Sequence, residues 1–259
     1  MDVNVLGPLV VRSRTHAQRP SGAKLRAILA VLALSPGDVV LRDQLVDELG
    51  LAESSQNATN TLQAHIVRLR NWLHLHFDAR HLLVTCESGY LLDLAPGRVD
   101  ASRFVRAVDD ARSRHPGDPG ALAGALAAAL ACWRGPALAD VGDGAICRLA
   151  THTLHELRVT AQEDLVDLQM ASGEERAAIA ELEQLIAQNP LREGLWEQLM
   201  LALYRCGRHA EAIQRYHRIR RLLDEELGLQ PGPGLQRRLT QILNHEPALR
   251  LTDERSAIP

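Results

Sequence analysis

At 259 residues the chain has room for one large or two medium domains, and its 46% apolar content is ample for a packed core, which excludes a disordered polypeptide. A net charge of −3, from 29 basic and 32 acidic residues, excludes a uniformly basic nucleic-acid coat. Cys86, Cys132, Cys147 and Cys206 form no CxxC pair, so neither a zinc knuckle nor a dithiol redox motif is expected.

The low aromatic content, 3%, with abundant Ala and Leu favours helices. No signal peptide and no apolar run of about 18 residues is visible, so a soluble cytoplasmic protein without a membrane span is expected. Charge is unevenly placed. Residues 1–97 balance nine Lys/Arg against nine Asp/Glu, yet nothing acidic lies between Val3 and Gly37, where Arg12, Arg14, Arg19, Lys24 and Arg26 stand. A second acid-free zone runs from Ser54 to Phe77. Local basic zones of this kind are what phosphate contacts need.

In chain order, Val3–Arg12 reads as two short strands broken at Gly7-Pro8. AKLRAILAVLAL, from Ala23, reads as a strong helix with Ser21 as N-cap, stopped by Ser35-Pro36-Gly37. Val39–Leu41 is a short strand. Arg42-Asp43 opens a short helix carrying Leu45, Val46 and Leu49, and Gly50–Gln56 is a loop.

Asn57 or Thr59 caps the central helix, NATNTLQAHIVRLRNWLHL. Leu62, Ile66, Leu69 and Leu73 fall at i, i+4, i+7 and i+11, on one face. The other face carries Asn60, Gln63, Ala64, Val67, Arg68 and Asn71. Arg reads guanine bidentately in the DNA major groove, and Asn or Gln reads adenine. A merely solvated face would also hold Arg and Gln, so the flanking elements decide. Leu82–Thr85 and Tyr90–Leu94, joined by Cys86-Glu87-Ser88-Gly89, read as a β-hairpin. Sheet, helix, short strand, two helices and hairpin make a winged helix-turn-helix, with the hairpin as wing.

LGPLVV, GAKLRAILAVLAL, LRDQLVDELG, NTLQAHIVRLRNWL and ESGYLLDL resemble, in that order, the OmpR-like half of the Streptomyces antibiotic regulatory protein family. These are actinobacterial activators of secondary-metabolite gene clusters. The helix is similar to the OmpR-like motif TxDxHIxRLRxxL through Thr61, His65, Ile66, Arg68, Leu69, Arg70 and Leu73. The resemblance implies that Arg68 reads a base and that Arg70, His65 and Asn60 hold phosphates; Lys24, in the first acid-free zone, and Ser88, through its hydroxyl in the hairpin loop, are further candidate DNA contacts. It also implies that the loop before this helix, with Glu53, Ser54 and Ser55, faces RNA polymerase. Gly50 stands where the family usually has Trp. Glu87 places an acid in a wing that is normally neutral or basic, which disfavours a strong minor-groove contact.

Beyond the wing, Asp100–Arg114, Ala121–Trp133 and Leu154–Met170 read as helices. A repeat of period 34 then pairs Gly173 with Gly207, Leu165 with Leu199, Met170 with Tyr204, Ala178 with Ala212, Ile179 with Ile213, Leu182 with Tyr216 and Leu185 with Ile219. That period, with small residues after a turn glycine, is the tetratricopeptide signature. Leu235–Asn244 reads as a capping helix. WRGPALADV, LHELR and the stretch from Pro190 to Leu235 resemble the bacterial transcriptional activation domain of the same family. Arg218, Arg220 and Arg221, with Asp224, Glu225 and Glu226 at helical spacing, read as a self-paired face.

The expected fold is mainly α with small β: a winged-helix DNA-binding domain over 1–96, a tetratricopeptide-like activation domain over 97–246, and a disordered tail over 247–259. His65, His74, His76 and His81 lie on different faces without carboxylate partners, so no metal is expected. No cofactor and no enzyme motif is found, including a P-loop, GxSxG or HExxH. The function expected from the resemblance is a sequence-specific activator. It binds direct repeats in double-stranded DNA as a homodimer, at least on DNA, and recruits RNA polymerase holoenzyme through the C-terminal domain of the polymerase α-subunit or through the sigma factor. A helical-repeat adapter with a vestigial winged helix, and a repressor with the same DNA-binding half, are the alternatives.

Overall fold

The computed structural model describes residues 1–51, 57–115 and 117–249. The chain forms two compact units, one of residues 1–116 with 124–158, the other of 117–123 with the chain from 159 onward.

The first unit begins with β1 (Asp2–Asn4) and β2 (Val10–Arg12), paired antiparallel with Val3 opposite Val11. A third strand that the sequence did not announce, β3 (Ala17–Gln18), pairs with β2. It is two exposed residues long and carries no apolar alternation to detect. α1 (Ala23–Leu34) buries every residue from Ala27 to Ala33, as a central helix must. Its N-cap is Gly22, without a side-chain bond, rather than Ser21. β4 (Val40–Leu41) leads into α2 (Arg42–Glu48), and α3 (Ala58–Phe77) packs against both α1 and α2. Gly50 closes α2 at φ 59, a left-handed backbone in which a Trp would be strained. β5 (Leu83–Thr85) and β6 (Gly89–Leu92) form the hairpin, and β6 lies between β4 and β5.

Three carboxylates bind distant parts of this unit together. α4 (Asp100–Arg114) starts with Asp100, 2% exposed, which accepts the N–H of Val5 at 2.6 Å and of Leu6 at 3.2 Å. Arg134 meets the same carboxylate at 3.4 Å. Asp140 accepts the Leu9 N–H at 2.6 Å and pairs with Arg19 and Arg26. Burial pushes its pKa up, but the bonds from Arg19 and Leu9 and the two guanidinium charges more than offset this, and the net shift is downward. Glu48, on α2, accepts the N–H groups of Ile146 at 2.7 Å and Cys147 at 3.0 Å. It thereby caps α6 (Ala145–Ala171) from about a hundred residues away. This explains why α6 starts nine residues before the expected Leu154: the capping group is not local. A Cβ on Gly144 would stand 2.2 Å from the Glu48 carboxyl carbon, so this approach requires glycine. The Cys147 thiol is buried beside Glu48, and burial and that charge together push its pKa far up. α5 (Pro119–Leu130) sits slightly earlier than the expected 121–133.

The second unit holds α7 (Glu175–Gln188), α8 (Glu193–Arg205), α9 (His209–Leu227) and α10 (Pro233–Leu243). α7 and α9 begin 34 residues apart, at Glu175 and His209. Gly173 and Gly207 both have positive φ, 84 and 77. The paired residues Ala178 and Ala212, Leu182 and Tyr216, and Leu185 and Ile219 are all buried, and α8 packs against α7, α9 and α10. The core centres on Trp196, Leu199 and Leu203. Pro247–Leu249, the first three residues of the expected tail, form a 3-10 turn with Leu249 buried and its carbonyl bonded to Arg205. Residues 250–259 lie outside the described residues. No helix among the described residues is long and apolar enough to cross a membrane.

Asp100→Ala should lower unfolding free energy by about 3 kcal/mol, because two buried N–H groups and a guanidinium lose their acceptor. Urea denaturation measures this, and Asp100→Asn, which keeps one acceptor oxygen, should lose less.

Candidate nucleic-acid interface

Asn57 caps α3, its side chain accepting the Asn60 N–H at 3.4 Å, and the Thr61 hydroxyl donates to the Asn57 carbonyl at 3.2 Å. Leu62, Ile66, Leu69 and Leu73 are buried, all at 1% exposure or less. Asn60, Gln63, Ala64, Val67, Arg68 and Asn71 are all exposed, which places them together along the outer side. Among the described residues this side carries no acid until Asp78, which ends the helix in a left-handed conformation and meets His74 at 3.1 Å.

A cleft of about 590 Å³ lies between the N-terminus of α1 and α3, lined by Lys24, His65, Arg68, Asn71, Trp72 and Leu75. The Lys24 ammonium donates to the Leu49 carbonyl at the end of α2. His65 is half-buried, and its Nδ1 has no hydrogen-bond partner among the described residues. Burial lowers its pKa from 6.5, and the charges of Arg68 and Lys24 lower it further.

Arg70 stands apart from the outer strip. Its Nε donates to the Leu83 carbonyl at 2.9 Å and an Nη to the Thr85 hydroxyl at 2.6 Å, both on β5. It ties the wing to α3. Arg42, which sequence reasoning passed over, does the same from the other side. Its guanidinium donates to the Cys86 and Glu87 carbonyls, its backbone N–H donates to the Ser88 carbonyl at 3.1 Å, and it lies 5.9 Å from the Tyr90 ring centre. The signal was weak because the contact spans more than forty residues and rests on carbonyls, which every residue has. Ser88 and Glu87 are exposed at the wing tip. His16 stacks on Phe77 at 5.0 Å and meets the His76 carbonyl at 2.6 Å, fixing the C-terminal end of α3 to the first sheet. Glu53, Ser54 and Ser55 lie outside the described residues. No group of three or more His, Cys, Asp or Glu that could hold a metal occurs among the described residues.

Residues 20–92 match the family described as "Transcriptional regulatory protein, C terminal", and residues 99–243 match "Bacterial transcriptional activator domain". The chain is 41% identical to the transcriptional regulator RedD of Streptomyces coelicolor, over 97% of this chain and 73% of RedD. It is 33% identical to the regulatory protein DnrI of Streptomyces peucetius, over 96% of this chain and 94% of DnrI. The chain belongs to the Streptomyces antibiotic regulatory protein family. It is a DNA-binding transcriptional regulator, with an OmpR-like winged helix followed by a bacterial transcriptional activator domain. Its structure is similar to that of Mycobacterium tuberculosis EmbR in complex with a low-affinity phosphopeptide, with a TM-score of 0.86 and 31% identity, over 95% of this chain and 65% of that one.

Arg70→Ala should cost about 1–2 kcal/mol of stability and loosen the hairpin, since two hydrogen bonds to β5 are lost. Faster amide hydrogen exchange at Leu83–Leu92, with exchange in α7–α9 unchanged, would show it.

Proposed function

We propose that this protein activates a secondary-metabolite gene cluster by binding direct repeats beside a promoter, two copies on one face of the DNA, and recruiting RNA polymerase holoenzyme in the cytoplasm. The observation that carries the reading is the outer strip of α3: three amides, the guanidinium of Arg68 and two small apolar side chains, all exposed on a helix whose other face is buried. In the major groove, Arg68 fits bidentate bonding to guanine, Gln63 and Asn71 fit adenine, and Ala64 and Val67 fit a thymine methyl, while Asn60 fits a phosphate. The activator-domain match supports activation over repression, and the regulatory names of the Streptomyces relatives support the gene-cluster assignment.

The remaining residues take supporting parts in this reading. Lys24 and His65 face one phosphate path beside α1, and Thr61 sits at the N-terminus of α3, which favours an anion. Arg70 sets the wing and offers its remaining N–H groups to the backbone. Ser88 offers a hydroxyl at the wing tip. Glu53, Ser54 and Ser55 remain proposed polymerase contacts on the strength of the family resemblance.

Footprinting on the neighbouring genome, with and without polymerase holoenzyme, tests the proposal. Protected direct repeats next to a −35 element, strengthened by polymerase, are expected. Protection weakened by polymerase would indicate a repressor, and none at low salt would leave an adapter. Arg68→Ala should cost about 1–3 kcal/mol of binding and relax the preference at one base pair, without altering the fold. Unchanged affinity and preference would displace Arg68 from the groove.

Binding should also depend on pH through His65. In the free protein its pKa lies below 6.5. A phosphate against the ring favours the imidazolium and raises that value, so the complex takes up a proton. Affinity should therefore strengthen as pH falls from about 8 towards 6 and be level above both pKa values. Fluorescence anisotropy across that range should show the slope, and His65→Gln should flatten it.

A further inference from the structure

The second unit contains a cleft of about 740 Å³ between α7, α8 and α9. Its lining is apolar at Ile186, Trp196, Leu199 and Leu222. Trp196 is fixed, its Nε1 donating to the Pro190 carbonyl at 2.9 Å. Arg215, Arg218 and Arg221 project into the cleft from successive turns of α9.

These three cations are not equivalent. Arg215 is taken by Glu183, at 2.6 Å. Arg218 lies 5.8 Å from the Trp196 ring centre. Among the described residues neither Arg218 nor Arg221 has an ion pair or hydrogen bond to a carboxylate. The self-pairing expected of Arg218, Arg220 and Arg221 with Asp224, Glu225 and Glu226 is not made among the described residues. Arg218 has no carboxylate three or four residues away on α9, and its guanidinium lies instead by the indole of Trp196. Two guanidinium groups at i, i+3 repel each other, and an anion placed between them removes that repulsion.

We infer that this cleft binds a small organic anion with an apolar body, such as a ring-bearing carboxylate. Its volume lies within the range of about 300–1,000 Å³ usual for small-molecule sites, and apolar walls with a few convergent polar groups are their usual chemistry. The charge pattern sets the number of anionic groups. Along α9 the pair Arg218 and Arg221 is bracketed by Glu183, at the level of Arg215, and by Glu225. From residue 215 to residue 225 is about 15 Å of helix, while the two unpaired cations span about 4.5 Å. That window accepts one anionic group and repels an extended run of acids on both sides.

The test is isothermal titration of the full chain with 2-naphthoate and with its neutral counterpart 2-naphthamide. Saturable one-to-one binding of naphthoate is expected, with the amide at least tenfold weaker. Arg218→Gln with Arg221→Gln should bring naphthoate down to the amide level while the DNA footprint stays unchanged. Glu225→Gln, which removes the flanking carboxylate, should tighten naphthoate several-fold. Equal affinity for acid and amide, full binding by the double variant, or no saturable binding below about 1 mM would overturn the inference. A glutamate-rich ten-residue peptide that bound more tightly than naphthoate, and lost its binding in the double variant, would overturn it in favour of an acidic-peptide groove.

Discussion

The fold of the DNA-binding half depends on one buried carboxylate, that of Asp100. It accepts two backbone N–H groups from the connection between β1 and β2, which have no sheet partner of their own at that point. Burying either side alone would be costly; together they satisfy each other. Asp140 and Glu48 repeat the device, one on the Leu9 N–H and one at the start of α6. In each case a side chain completes the hydrogen bonding of backbone that lies far off in sequence. The winged helix is thus hydrogen-bonded to residues 100–147 as well as within itself.

That framework leaves α3 divided in purpose. Its apolar face is consumed by α1 and α2, and its outer face is left to amides and a guanidinium. The wing is held in place without drawing on that face, by Arg70 from α3 and Arg42 from α2. Arg42 occupies the carbonyls at the hairpin tip, so the outer side of the wing presents hydroxyl and carboxylate groups. Among the described residues Arg68 makes no ion pair, and the tethering is done by Arg70. Arg68 and Arg70, two positions apart in the sequence, point to different surfaces, as the rotation of about 200° between i and i+2 of a helix requires.

Much of this was legible in the sequence because it rests on periodicity. The four apolar positions of α3, the continuous apolar run of α1 and the 34-residue repeat follow from side chains sorting themselves by face, and each reappears as buried residues. What escaped reading was set by contacts remote in sequence. The start of α6 depends on Glu48, and β3 depends on pairing rather than on its own two residues. The wing clamp uses backbone carbonyls that leave no mark on composition. The basic cluster on α9 misled for a different reason: helical spacing permits Arg220 to pair with Asp224 and Arg221 with Glu225, but all four side chains are exposed, where an ion pair is worth little, and among the described residues neither pair is made.

The Glu48–α6 contact also bears on how such regulators exchange parts. A seam at residue 97 looks natural, since a strand-rich segment ends there and a helical one begins. Cutting there would strip the acceptor from Val5 and Leu6, the acceptor from Leu9, and the two donors from Glu48. A chimera joined at that seam would have to find an aspartate, an arginine-paired carboxylate and a glycine-led helix in its new neighbour. A graft that carries the chain through Arg158, where the first compact unit ends, brings its own. A transplantable winged helix in this architecture is therefore more than half as long again as the winged-helix motif itself.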